Sequence, residues 1–170
     1  MKPVVAVSAG DPSGIGPEVV GKALRDARVK RALEVRVYGD ASLARRVPER
    51  CLVVVSALAA RDRRPGHPTL AGARAQLAYV RRAIEAAKAG EAQALCTAPV
   101  SKEAISGTGV RFTGHTELLA EAFGAEVMML MDGPRLKVAL ATHHVPLKAV
   151  SRLITVPRLV KRLLLLHRSL

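Results

Sequence analysis

The 170-residue sequence predicts an α/β fold built on a parallel sheet. Three observations carry this expectation. Short β-branched runs alternate with longer amphipathic stretches, the pattern of strand–helix–strand units. Clusters of glycine, proline and aspartate punctuate the alternation. Nearly half of the residues are apolar, enough to build a core.

Residues 3–8 read as a first buried strand. Residues 17–29 read as a helix, with Val19, Val20, Ala23 and Leu24 spaced for one face. Residues 34–38 form a second strand, closed by Gly39 and Asp40, and residues 52–55 a third. Residues 61–68 are a polar loop carrying proline and glycine. The clearest helix spans 69–88: Thr69 can cap it, Leu77, Val80, Ile84 and Ala87 make an apolar stripe, and Gly90 stops it. Residues 94–96 are a short strand, and a glycine-bearing loop covers 106–114. Residues 116–123 are a helix ended by Gly124. Two strands, 127–131 and 136–141, are joined by an Asp-Gly-Pro-Arg turn, and 157–170 form a last helix.

The division expected is a domain over residues 1–114 and the start of a second over 115–170. Two strands and one helix make a poor independent unit. The apolar run Leu163, Leu164, Leu165 and Leu166 has nothing after it to cover it. The second domain is therefore expected to be truncated.

Composition narrows the function. No apolar run reaches the roughly 20 residues of a membrane span, and the N-terminus lacks a signal-peptide pattern. A cytoplasmic protein without a membrane partner is expected. Cys51 and Cys96 match no metal spacing and are expected to be buried, reduced thiols. The net charge of +13 suggests an anionic partner, but the basic residues are scattered and aromatics are only 2%. Base stacking needs aromatic platforms, so nucleic acid is not the expected partner.

Four motifs carry chemistry. Residues 10–18, Gly-Asp-Pro-Ser-Gly-Ile-Gly-Pro-Glu, follow the first strand. The glycine spacing fits neither a P-loop nor a dinucleotide fingerprint. Gly14 and Gly16 permit close backbone approach, and free amides at the helix start can receive an anion; an ordinary strand-to-helix turn is the alternative. Residues 97–102, Thr-Ala-Pro-Val-Ser-Lys, put Lys102 beside the carboxyl edge of the sheet, where open α/β folds bind ligands. Otherwise Lys102 is a solvated charge. Residues 114–117, Gly-His-Thr-Glu, suggest Thr116 as a helix cap, with His115 just before the helix and held neutral by its positive end. Residues 142–147, Thr-His-His-Val-Pro-Leu, end a strand. Alternation along that strand lets at most one of His143 and His144 face a given site. Two packed histidines are the alternative to a metal ligand. All four motifs are expected where strands end, and their convergence on one sheet edge is the physical argument for an active site.

Together these residues resemble the 4-hydroxythreonine-4-phosphate dehydrogenase family. Residues 10–18 look like its Gly-Asp-Pro-x-Gly-Ile-Gly-Pro-Glu signature. Residues 97–102 are similar to its Thr-x-Pro-Ile-Asn-Lys segment, with Ser101 where asparagine is usual. Phe112 and the Gly-His-Thr-Glu block match in order and spacing. Residues 142–155 resemble its Thr-His-x-Pro-Leu stretch, with His143 where threonine is usual.

The resemblance implies a fold like isocitrate and isopropylmalate dehydrogenases, with doubly wound α/β/α sheets and a homodimer. It implies NAD-dependent oxidation and decarboxylation of 4-phosphooxy-L-threonine in pyridoxal 5'-phosphate biosynthesis. Threonate or erythronate 4-phosphate is the alternative substrate, and a non-catalytic anion-binding or dimerisation fragment the alternative role. By carry-over, His115 and Thr116 bind the small phosphorylated substrate, and Lys102 and His115 are the catalytic candidates. The turn with Gly10, Asp11, Gly14 and Gly16 is the cofactor candidate for NAD. His144 is one of three histidines holding a divalent metal: Zn, Mg or Co. In the family the other two lie in Asn-Pro-His-Ala-Gly-Glu and His-Asp-Gln-Gly segments, which have no counterpart in this sequence. His167 sits in the wrong context to replace them. The chain alone is therefore expected to lack dehydrogenase activity.

Overall fold

The β-branched runs become four strands of one parallel sheet in the computed structural model, which describes residues 1–170. The strands are Val4–Ser8 (β1), Glu34–Asp40 (β2), Leu52–Ser56 (β3) and Ala94–Thr97 (β4), in the order β3-β2-β1-β4. Val5 stands beside both Val35 and Ala94, and Val7 beside both Val37 and Cys96.

Between β1 and β2 lie Gly16–Ala23 (α1) and Ala27–Ala32 (α2); between β3 and β4 lies Leu70–Lys88 (α3). These two connections step along the sheet in opposite directions, so right-handed crossovers set them on opposite faces. The result is a sheet wound in two directions.

The single helix expected over residues 17–29 is two helices. Asp26 explains the break: its carboxylate accepts the Arg28 N–H and starts a new helix. A short acidic side chain offers the backbone an alternative to continuing the previous helix. Helix α3 matches its expected span, and the Thr69 hydroxyl accepts the Gly72 N–H as the cap. Its buried face is broader than the stripe Leu77, Val80 and Ile84. One flank joins the sheet core through Ala75, Tyr79, Ala83 and Ala86. The other packs Leu77 against Ile105 and Phe112. Small alanines on the sheet side let α3 contact all four strands.

After β4 come Lys102–Ser106 (α4), inside a stretch the sequence assigns no helix, and His115–Phe123 (α5). The Ser101 hydroxyl caps α4 by accepting the Ala104 N–H. Then follow Leu130–Asp132 (β5), Lys137–Ala139 (β6), Leu147–Leu153 (α6) and Val156–Ser169 (α7). β5 and β6 form an antiparallel hairpin shorter than expected, joined through the Asp132–Lys137 ion pair. Helix α6 is not evident in the sequence, because Leu147–Leu153 spans only two turns.

The chain divides into two compact units, Met1–Phe123 and Gly124–Leu170. The division expected after residue 114 differs from this by α5, which clusters with the first unit. The first unit holds both apolar cores. The second contains no buried residue at all.

Cys51 is half-buried, whereas Cys96 is exposed, contrary to expectation. β4 is an edge strand, so a residue on its open side lacks a neighbour. No helix is long and apolar enough to cross a membrane.

Candidate functional site

The turn after β1 and the loop after β4 meet where the strand order reverses, the place where open parallel sheets bind ligands. They are bound together directly. The Asp11 N–H donates to the Pro99 carbonyl at 2.9 Å, and the Ala98 N–H to Ser8 at 3.0 Å. Gly10 has φ of +76°, and a Cβ there would run into the Pro99 carbonyl oxygen. A Cβ on Gly16 would run into the Ala9 carbonyl oxygen. The close approach that these glycines permit is thus to the chain's own backbone. Asp11 shapes the turn by accepting from the Ser13 N–H and Oγ, both at 2.8 Å. Ile15, at the start of α1, brings no capping side chain.

Lys102 is the first residue of α4 rather than a residue at the strand end, because Ser101 starts a helix there. Its backbone is fixed from below: the Ser101 N–H donates to the Gln76 Oε1 at 2.7 Å. Gln76, on α3, is fully buried, and its Nε2 has no partner. Sequence reading missed it; the signal was a polar residue next to Leu77 in an apolar helix stripe.

The Lys102 ammonium lies over Gly114. His115 begins α5 instead of preceding it, and Thr116 is inside the helix rather than its cap. The Gly114 carbonyl accepts the Leu118 N–H at 3.2 Å and takes the capping role. The His115 ring meets Phe112 edge to face, with centroids 5.9 Å apart. Its Nε2 is buried and has no hydrogen-bond partner. Burial, reinforced by the Lys102 charge, holds the imidazole pKa below its ordinary value of 6.5. Lys102, His115 and Thr116 therefore gather a cation, a neutral imidazole and a hydroxyl around one helix start. That set can bind an anion and accept a proton from a hydroxyl.

A pH experiment follows. The unfolded imidazole takes up its proton near pH 6.5, and the folded one only lower. Stability from this group is complete above 6.5 and is lost as pH falls toward the folded pKa. An NMR titration should give His115 a midpoint below 6.5, and Lys102→Ala should raise it. A midpoint at or above 6.5 contradicts the buried neutral ring.

His144 belongs to the second unit, and His115 to the first. The strand alternation expected at residues 142–147 does not apply, since β6 ends at Ala139 and a bend follows. His144 is exposed in left-handed backbone, φ +54°, a conformation histidine tolerates better than most residues. Its ring meets His143 edge to face, centroids 5.5 Å apart, and the His143 Nδ1 is buried without a partner. No three His, Cys, Asp or Glu side chains come together to hold a metal ion. A catalytic metal normally needs three protein ligands, so the residues present do not make its site by themselves.

A second polar centre was missed in the sequence. Asp40, ending β2, is buried and accepts from the Ser42 N–H at 2.9 Å, the Leu58 N–H at 2.6 Å and the Ser56 Oγ at 3.0 Å. Ser56 also shares a 2.6 Å hydrogen bond with the Tyr79 hydroxyl. Burial pushes the Asp40 carboxyl up, but these donors outweigh it and hold its pKa below the ordinary value. Burial first, and then the Asp40 charge, pushes the Tyr79 hydroxyl up to about 12. The Asp40-Ala41-Ser42 sequence after a strand was the available signal for a capping carboxylate.

The family described as "Pyridoxal phosphate biosynthetic protein PdxA" matches residues 15–170. The chain is 36% identical to a 4-hydroxythreonine-4-phosphate dehydrogenase of Geobacter metallireducens, covering 99% of this chain and 57% of that protein. It is 39% identical to the enzyme of that description from Aromatoleum aromaticum, covering 99% and 56%. A crystal structure of a 4-hydroxythreonine-4-phosphate dehydrogenase from Burkholderia phymatum superposes with a TM-score of 0.80 at 29% identity, covering 96% of this chain and 56% of that one. A terephthalate 1,2-cis-dihydrodiol dehydrogenase from Burkholderia xenovorans matches with a TM-score of 0.69 at 30% identity, covering 95% and 55%. The chain spans about half the length of the curated relatives it matches.

Proposed function

Because the chain belongs to the PdxA family of pyridoxal phosphate biosynthesis, we propose that Lys102, His115 and Thr116 form the substrate-binding end of a 4-hydroxythreonine-4-phosphate dehydrogenase. The observation that supports this most is the unpartnered, buried Nε2 of His115 beside the Lys102 charge. Burial of a polar atom without a partner is costly, and a substrate hydroxyl would satisfy it. Lys102 and the positive end of α5 attract the phosphate or carboxylate of the substrate. His115, kept neutral, takes the proton from the alcohol, and the Thr116 hydroxyl adds an orienting contact.

The reaction of the whole protein is NAD-dependent oxidation of 4-phosphooxy-L-threonine followed by decarboxylation. NAD, when bound, supplies the hydride acceptor. Gly10, Asp11, Gly14 and Gly16 are its candidate seat, beside the start of α1, which no side chain caps. His144 is the candidate metal ligand for Zn, Mg or Co. With one candidate imidazole in this chain, no step is assigned to the metal. The reading extends to an isocitrate dehydrogenase-like two-domain fold, a homodimer and a cytoplasmic location. Exposed Val156, Val160, Leu163 and Leu164 on α7 are compatible with burial in such an assembly.

Calorimetry with 4-phosphooxy-L-threonine tests the site. His115→Ala and Lys102→Ala should each weaken binding about tenfold, the value of one charged hydrogen bond. Undiminished binding in both variants would exclude these residues. A second reading keeps the fold and changes the acid. The match to a terephthalate 1,2-cis-dihydrodiol dehydrogenase supports only that this fold is compatible with another alcohol substrate. Tighter binding of threonate or erythronate 4-phosphate than of 4-phosphooxy-L-threonine would favour this second reading.

A further inference from the structure

Lys102 opens α4, a helix of only five residues. A helix this short does not hold itself, so its place depends on what it packs against. Three contacts hold it. The Ser101 hydroxyl accepts the Ala104 N–H at 3.2 Å, and Ile105 is fully buried with Leu77 and Phe112. The Ser101 N–H donates to the Gln76 Oε1 at 2.7 Å. Only the last of these ties the backbone immediately before Lys102 to another element.

Gln76 lies on α3 and has no exposed surface. Glutamine is costly there, because its Nε2 is buried without a partner. A methionine would fill a similar volume without that penalty. Packing therefore does not call for an amide at this position, whereas the hydrogen bond to Ser101 does. The donor is a backbone N–H, so the facing atom is the amide oxygen. The next residue of α3, Leu77, packs with Ile105 and Phe112, and Phe112 meets the His115 ring. Two successive residues of one helix thus lead to the cation and to the imidazole: Gln76 through Ser101 to Lys102, and Leu77 through Phe112 to His115. Where the two paths end, a Cβ on Gly114 would lie 3.2 Å from the Lys102 Nζ and 3.0 Å from the Glu117 Oε2.

We infer that Gln76 is the positioning residue of Lys102: it fixes the backbone from which the ammonium reaches Gly114, beside His115, and touches no substrate itself. In what Lys102 binds, this rests on the function proposed above; in where Lys102 stands, it does not. A lysine side chain has many rotamers, and a loosened backbone adds to them. Displacement of a binding group by about 1 Å is enough to weaken its contact.

A double-mutant cycle of Gln76→Met and Lys102→Ala in the full chain, read by NMR titration of His115, tests this. Gln76→Met removes the acceptor at similar volume. It should raise the His115 midpoint in the same direction as Lys102→Ala, and in the Lys102→Ala background it should raise it no further. Gln76→Asn draws the acceptor back by one carbon and should act in the same sense, which keeps the test open if the methionine variant does not fold; circular dichroism checks both. Val80→Ala, one turn further along α3 and equally buried, should lower stability and leave the midpoint in place. In calorimetry with 4-phosphooxy-L-threonine, Gln76→Met should weaken binding about two- to tenfold, and not at all once Lys102 is alanine. An unchanged midpoint in the Gln76 variants, an equal rise with and without Lys102, or the same rise in Val80→Ala overturns the inference. The expected midpoints with substrate binding unaltered in every variant would instead remove the substrate assignment and leave Gln76 as the anchor of Lys102.

Discussion

Asp40→Ala should lower the unfolding free energy by about 2–6 kcal/mol, since it strands two half-buried N–H groups at about 1–3 kcal/mol each. The Ser42 and Leu58 amides lose their acceptor at once, whereas the Ser56 hydroxyl keeps Tyr79 as a partner. Arg63 loses its nearest counter-charge as well. Asp40→Asn keeps one carbonyl oxygen but points an amide donor at another donor, so its cost should be about half as large. Guanidinium unfolding followed by circular dichroism measures both. A loss under about 1 kcal/mol for the alanine variant would mean that water replaces the carboxylate and that the centre is not sealed. The pH dependence has a definite sign. The folded pKa is below the ordinary 3.8, so the contribution is present above 3.8 and disappears as pH drops through the folded value.

Gly10→Ala is expected to cost about 3 kcal/mol. Left-handed backbone costs an L-residue about 1–2 kcal/mol, and the new methyl must push the Pro99 carbonyl away. That carbonyl is the acceptor of the Asp11 N–H, so the hydrogen bond between the two loops stretches too. Gly66→Ala is the control. Gly66 has the same φ of +76°, but nothing lies within 4 Å of a Cβ there. It should show the backbone cost alone, about 1 kcal/mol. The difference between the two variants isolates the collision. Equal effects would mean that the loops part freely.

Much of the first unit is legible in the sequence because its signals are local and mutually consistent. Val4–Ser8 and Leu52–Ser56 are apolar runs bounded by turns, and Thr69 announces the helix that it caps. What escaped the sequence has identifiable causes. The helix break at Asp26 is a capping preference that an apolar stripe through Val20 and Leu24 conceals. Helices α4 and α6 are too short to show a period. The hairpin strands are shorter than their apolar runs, since all but one of their residues are exposed and packing does not extend them. Of the candidate site, the residue types at 102, 115 and 116 are visible, and the family resemblance pairs them. The position of the Lys102 ammonium over Gly114 is not visible, because it depends on how α4 and α5 pack around Ile105 and Phe112. Least legible of all is a cleft beside the turn after β1, whose walls include Arg25, Arg45, Arg46 and Arg63 from separate stretches that only the fold brings together.

The bond between Asp11 and Pro99 has a consequence for how this architecture can vary. The two segments it joins form a single stiff rim, so lengthening either would displace the other and tilt Lys102 with it. The stretch from Ala57 to Pro68 is held to this rim at one point, where the Gly66 N–H donates to the Ser13 carbonyl at 2.9 Å. Insertions and deletions on that flank should therefore fall before Gly66, leaving its bond to Ser13 and the rim in place.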